Sequence, residues 1–190
     1  DLCISCKACK AECPSNIDMA KFKAEFLQYY YDEHGAPLRS KLIAWLPRMS
    51  GLASAVAPLA NWNMNMGLTK RLIGFHPQRS MPAFTSKTLK GWANKNRQPE
   101  GSKGKVYLFA DEFTNYQESD IGIKAILLLT KLGYSVEIPK HRESGRTFLS
   151  KGFMRESKKI ANDNVRMLKD KISVKTPMIG IEPSTILTFR

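Results

Sequence analysis

Beyond Cys13 this 190-residue sequence contains no cysteine. That excludes a disulfide framework and any thiolate metal centre over the rest of the chain. Histidine is scarce too: His34, His76 and His141 stand alone, far from one another in sequence. A lone histidine is more often a surface or packing residue than a catalytic one. No G-x-G-x-x-G follows a strand, and there is no G-x-x-x-x-G-K-[ST], G-x-S-x-G or H-E-x-x-H. Dinucleotide, P-loop, nucleophile-elbow and zincin readings therefore lack their signatures. No apolar run reaches the roughly 20 residues of a membrane span, and no secretory leader pattern is present. Acidic residues are nearly missing from 34–103, where Glu100 is the one carboxylate against eleven Lys/Arg. That segment carries +10 of the net +13.

What is present begins with Asp1–Pro14, D-L-C-I-S-C-K-A-C-K-A-E-C-P, which holds all four cysteines. Cys3, Cys6, Cys9 and Cys13 are spaced C-x2-C-x2-C-x3-C-P, the bacterial ferredoxin run for 4Fe–4S clusters. Two-residue gaps let three thiolates converge on one cube. The wider gap and the proline send the fourth thiolate elsewhere, and in two-cluster ferredoxins it ligates the other cluster. The spacing thus implies a second motif, expected before Asp1, and leaves the ligand set of each cluster incomplete within this chain. Four cysteines can also hold zinc, although structural zinc sites usually separate two knuckles by a longer loop. Disulfides between cysteines three apart are poor, and unpaired thiols argue for a reducing, cytoplasmic compartment.

Taken in order, Ser15 or Asn16 can cap a helix in which Ile17, Ala20, Ala24, Leu27 and Tyr31 recur at helical spacing. It should end near His34-Gly35, before Pro37. A cluster loop running into a helix is the pattern of an all-helical ferredoxin module. The basic segment offers short helices at 38–45, ending before Pro47, at 50–59 and at 64–73. Residues 75–103, with Pro77, Pro82 and Pro99, read as an extended connector. From Lys105 strands and helices alternate: strands at 106–110, 134–138 and 177–181, a helix at 121–132 stopping at Gly133, and one long helix at 146–171. That order predicts a parallel sheet covered by helices. The expected fold is mixed, α+β/α/β: a helical ferredoxin-like segment (1–33), a basic helical or extended connector (34–103), and a partial Rossmann-like parallel α/β domain (104–190).

Ligand sites in open parallel sheets lie at the carboxyl ends of the strands. Three loops are placed there. The first is Asp111 to Tyr116, the second His141 to Arg146 leading to Lys151-Gly152, and the third Glu182 to Thr185. Asp111, Glu143, Ser144, Gly145, Arg146, Lys151 and Glu182 are the loop-site candidates. Turn chemistry and helix capping account for the same residues, since Ser144 and Ser184 are good caps and Gly145 suits a tight turn.

The cysteine run with P-S-N-I-D-M-A-K-F-K-A-E-F-L, then F-A-D-E-F-T-N-Y, E-S-G-R-T-F-L-S-K-G and I-E-P-S-T-I-L-T-F-R, resembles the C-terminal iron–sulfur half of large FAD-linked dehydrogenases. These are the D-lactate dehydrogenase, glycolate oxidase and anaerobic glycerol-3-phosphate dehydrogenase relatives. In them a flavin domain precedes a two-cluster helical ferredoxin module and a cysteine-rich CCG domain shared with heterodisulfide reductase subunits. The resemblance implies that Cys3, Cys6 and Cys9 ligate one 4Fe–4S cluster and Cys13 another. It places Glu143 to Arg146 where the family's Cys-Cys-Gly lies, and Asp111 to Thr114 and Thr185 at other thiol-bearing places. With no cysteine at any of these, the α/β domain is expected to hold no metal of its own.

The resemblance further implies a portion of a D-lactate-like 2-hydroxy-acid dehydrogenase, inactive alone. FAD would sit on an upstream half, and electrons would leave toward a quinone or cytochrome. The basic segment is expected to contact an acidic face of the flavin half or, peripherally, the inner face of the cytoplasmic membrane, with Trp45, Trp62 and Met66 as apolar anchors. Polyanion or nucleic-acid binding by the basic segment is the other class, although no specific nucleic-acid motif is present. A zinc-stabilised structural domain is a third.

Overall fold

β1 (Lys105–Phe109) is the strand the sheet is built on. Val106 to Phe109 are all buried, as a central parallel strand covered on both faces requires. A computed structural model describes residues 8–189 of the chain. β2 (Ser135–Glu137) and β3 (Met178–Gly180) flank β1 in the order β2-β1-β3, both parallel to it. Val106 pairs with Val136, and Leu108 with Ile179. β2 and β3 fall inside the ranges predicted by their apolar runs, trimmed at both ends, and β1 is displaced by one residue toward the N-terminus.

One face of the sheet is covered by α8 (Ser119–Lys131) and α6 (Leu89–Lys95). Leu89, Leu108, Ala110, Ile123 and Ile126 form that core, with Trp92, Val136 and Ile181 packed against it. Each fully buried side chain of this size contributes about 1.5–3 kcal/mol. α6 lies inside the stretch expected to be extended. Thr88 starts it by accepting from the Gly91 N–H at 3.1 Å, and Leu89 is its anchor in the core. On the other face Phe109 packs against His141 and Phe189, with ring centroids 4.2 and 5.1 Å apart.

A second core joins the helical part to the α/β part. α2 (Met19–His34) begins later than a cap at Ser15 or Asn16 would place it: Asp18 is the cap, and its side chain accepts from the Lys21 N–H at 3.0 Å. It buries Ala20 and Ala24. α3 (Leu38–Ala55) is one helix that runs through Pro47, not a short one ending before it. An internal proline costs a helix about 3 kcal/mol. The packing of Ala44 and Trp45 against Phe148, Ile160 and Phe153 offsets that cost. α4 (Ala57–Asn65) and α5 (Gly67–Ile73) follow in contact with one another.

The long helix expected over 146–171 is two helices, α9 (Arg146–Ser150) and α10 (Met154–Leu168). Gly152 breaks it. Its φ of +81° is left-handed, its N–H donates to Leu149 O at 3.2 Å, and the Phe153 N–H donates to Phe148 O at 2.9 Å. This is a Schellman ending, and the accompanying apolar contact is Phe148 with Phe153 through Trp45. α1 (Ala8–Glu12) and two short helices at strand ends, α7 (Glu112–Tyr116) and α11 (Pro183–Ile186), complete the helical elements before a 3-10 turn at Leu187–Phe189.

Candidate functional site: the cysteine run and the strand-end loops

Of the four cysteines, Cys9 and Cys13 are among the described residues, and Cys3 and Cys6 lie outside them. The segment ahead of Pro14, read as a loop, is helical over α1. Cys9 sits on that turn, and Cys13 follows it directly. Both are free thiols; Cys9 is exposed and Cys13 half-buried. The Cys13 carbonyl accepts the Asn16 N–H at 2.9 Å, and Asn16 takes a left-handed φ of 53°, which turns the chain toward Asp18 and α2. Among the described residues no group of three or more His, Cys, Asp or Glu gathers as a metal site. The donors are soft thiols, the chemistry that iron–sulfur clusters and zinc both take.

At the sheet the three strand-end loops do come together. Asp111 is fully buried at the end of β1 and caps α7. Its carboxylate accepts the Phe113 and Thr114 N–H groups at 2.9 Å each and the Thr114 hydroxyl at 2.7 Å. Burial pushes its pKa up, against the pull of those donors. The neighbouring Glu112 reaches the second loop. The Ser144 N–H donates to it at 3.0 Å and the Ser144 hydroxyl at 2.7 Å. Burial raises the Glu112 pKa as well. The Ser144 hydroxyl oxygen also accepts the Arg146 N–H at 3.1 Å, and Gly145, with a φ of +78°, starts α9.

Glu143 is held from two sides, by Arg48 Nε at 3.0 Å and Arg142 at 3.4 Å. Its carbonyl accepts the Asn164 side-chain amide at 2.9 Å, and Asn164 Oδ1 accepts the Arg142 N–H at 2.8 Å. Glu182 caps α11, accepting the Ser184 N–H at 3.2 Å and hydroxyl at 2.7 Å. Lys151 lies on the Schellman turn, its pKa lowered by burial and then by Arg39 and Lys23. The acceptors of Asp111, Glu112, Glu143 and Glu182 are thus taken by the protein's own donors. Capping and loop tethering describe what these contacts do.

Three participants were not foreseen. Asn164 stands on the buried stripe of α10 with Ile160 and Leu168, at i, i+4 and i+8, so a polar residue in an apolar stripe was the available signal. Arg48 comes from α3, far away in sequence, and nothing local marks it. Lys90, in α6, has its pKa lowered by burial, while Glu112 and Glu143 pull it back up.

Replacing Glu112 with alanine is expected to orphan two buried Ser144 donors. At about 1–3 kcal/mol per unsatisfied group, the loss should be about 2–4 kcal/mol. Thermal unfolding together with amide exchange at Ser144 checks it. An unchanged midpoint would show that the tether carries no load.

Over 99% of its length this chain aligns with D-2-hydroxyglutarate dehydrogenase of Escherichia coli K12, 26% identical over 203 positions. The enzyme of that name from Pantoea ananatis is 28% identical over 204 positions. One subunit of the anaerobic glycerol-3-phosphate dehydrogenase of E. coli is 23% identical over 167 positions, 84% of this chain and 42% of that polypeptide. The chain spans 20% of the length of the D-2-hydroxyglutarate dehydrogenases. No family model matches the chain, and no solved structure matches it. The resemblance to FAD-linked dehydrogenases drawn from the cysteine run and the strand-end motifs is borne out by these relatives.

Proposed function

We propose that this chain is the electron-carrying part of an FAD-linked 2-hydroxy-acid dehydrogenase. The single observation that carries the reading is C-x2-C-x2-C-x3-C-P at Cys3 to Pro14, in a chain whose whole length aligns with D-2-hydroxyglutarate dehydrogenases. Cys3, Cys6 and Cys9 would hold one 4Fe–4S cluster, and Cys13 would reach a second. Such clusters supply one-electron transfer at a potential set by burial and hydrogen bonding. The chain's own contribution is to fix the thiols. α1 presents Cys9, the left-handed Asn16 turns the backbone after Cys13, and Asp18 caps α2. The names of the relatives favour D-2-hydroxyglutarate over D-lactate as the 2-hydroxy acid.

In this reading residues 1–33 are the second half of a helical two-cluster ferredoxin module. Residues 104–190 are a Rossmann-like portion whose strand-end loops serve geometry and not metal binding. Support for the latter comes from the parallel β2-β1-β3 order and from carboxylates already occupied by capping donors. FAD would sit on a separate portion, with a quinone or cytochrome as acceptor. No described helix is long and apolar enough to cross a membrane.

Protein isolated anaerobically from its own cells should contain iron and acid-labile sulfide in equal amounts, with no zinc. Cys13→Ser should lower both without altering the helical circular dichroism. Stoichiometric zinc without sulfide would replace this reading with the structural-zinc one.

A further inference from the structure

α3 is built inside out. Its buried side is small or polar: Ala44, Pro47, Ser50 and Ser54. Its large apolar residues, among them Leu38, Met49 and Leu52, recur at helical spacing on the outward side, with Leu52 77% exposed. Large apolar residues are exposed along the next two helices as well. Leu59 and Trp62 of α4 are each 63% exposed, and Leu72 of α5 is 79% exposed. Small residues turned inward and leucines outward are the pattern of a helix layer whose other side is meant to be covered.

Electrostatics narrow what covers it. The basic composition suggests an anionic surface, but the fold uses up most of the cations on these helices. Arg48 is paired with Glu143 and Glu156 at 3.0 and 3.2 Å. Lys70 is buried and donates to the Pro77 carbonyl at 3.1 Å. The Arg39 guanidinium lies over the Phe75 ring at 5.2 Å. α4 has no charged residue. Trp45, expected as an outer anchor, packs inward on Phe148 and Phe153. An interfacial membrane helix needs a cation-rich polar face toward headgroups, and on these helices Lys41 and Arg71 are the two exposed cations left without such a contact among the described residues. Docking of a second copy would bring together two chains of net charge +13.

We propose that the outward face of α3–α5 is a docking surface for an apolar protein face, and that this face belongs to the flavin-bearing portion. The D-2-hydroxyglutarate dehydrogenases carry this unit in the same chain with a remainder about four times its size, of which it covers 20%. The identity of the partner rests on the electron-transfer reading. The docking surface itself rests on the helix faces.

The test uses the protein purified natively from its own cells, with a benzophenone amino acid replacing Trp62 and photolysis in about 1 M NaCl, where charge attraction is screened. Mass spectrometry should place the cross-links on flavin-portion peptides, whether in the same polypeptide or another. Leu52→Glu with Leu59→Glu, both exposed, should cut those cross-links about tenfold or more while circular dichroism and thermal midpoint stay unchanged. Cross-links confined to lipid or to the same segment of a second copy would overturn the proposal, as would none at all or cross-links that survive the double substitution. Loss of iron–sulfur content from the function test, with these cross-links intact, would remove the electron-transfer reading and leave the surface standing.

Discussion

Phe148→Ala is expected to destabilise the protein by about 3–5 kcal/mol, the range for truncating a buried aromatic. The ring is completely buried and holds three elements together, its own α9 with α3 and α10. Trp45 of α3 meets it edge-on at 4.9 Å, and the Arg48 guanidinium lies over it at 4.8 Å. Ile160 of α10 and Ala44 of α3 complete the cluster. Its carbonyl also closes the turn at Gly152 by accepting the Phe153 N–H. Truncation would leave a cavity and loosen the contact that keeps α3 helical through Pro47. Urea midpoints for the wild type and Phe148→Ala measure the loss, with exposed Leu52→Ala as the comparison, expected within about 0.5 kcal/mol. A loss under about 1 kcal/mol would mean that the second core is not what joins the helical and α/β parts.

The second large effect is acid sensitivity set by His141. Its Nδ1–H donates to the Arg142 carbonyl at 2.6 Å, while Nε2 is buried with no hydrogen-bond partner among the described residues. Protonation would put a charge on that orphaned nitrogen, beside Phe109 and facing the cation of Lys90. Burial, with Lys90 second, lowers the pKa from 6.5 to about 4. Below 6.5 the unfolded chain binds a proton that the folded chain does not, so stability falls as pH falls, and the loss is complete near 4. At about 1.4 kcal/mol per pH unit it should total about 3 kcal/mol.

Asp111 and Glu112 act in the opposite direction. Their pKa values are raised, so they cost stability as pH climbs through those raised values. The comparison must therefore be made against His141→Phe, which keeps a ring on Phe109 and removes the titration. Stability measured from about pH 7 down to about pH 4 should fall less steeply in the variant. Parallel curves would assign the acid limb to other groups.

The strands were legible because apolar runs of strand length bounded by turn residues surround each of them. The convergence of their loops followed from parallel topology, and Glu112 with Ser144 shows the first two loops meeting. The Gly133 stop of α8 was equally local. What could not be read depends on contacts distant in sequence. Pro47 reads as a helix terminator unless Phe148, 101 positions later, is known to pack over that turn. Residues 146–171 have helical periodicity throughout, and the break depends on Gly152 taking a left-handed φ that periodicity does not report. The charge of 34–103 was plain. That Arg48 is taken up by Glu143 and Glu156 and Lys70 is buried, with leucines left outside, was not, because composition counts charges without saying what they pair with.

Electron paramagnetic resonance of the anaerobically isolated, dithionite-reduced protein tests the proposed role of the cysteine run most directly. A reduced iron–sulfur signal is expected, and Cys9→Ser should alter or remove it if that thiol holds a cluster as proposed. A further change is expected on Cys13→Ser, which in the proposed reading reaches a different cluster. A protein without signal before and after reduction, or a signal indifferent to both substitutions, would contradict it.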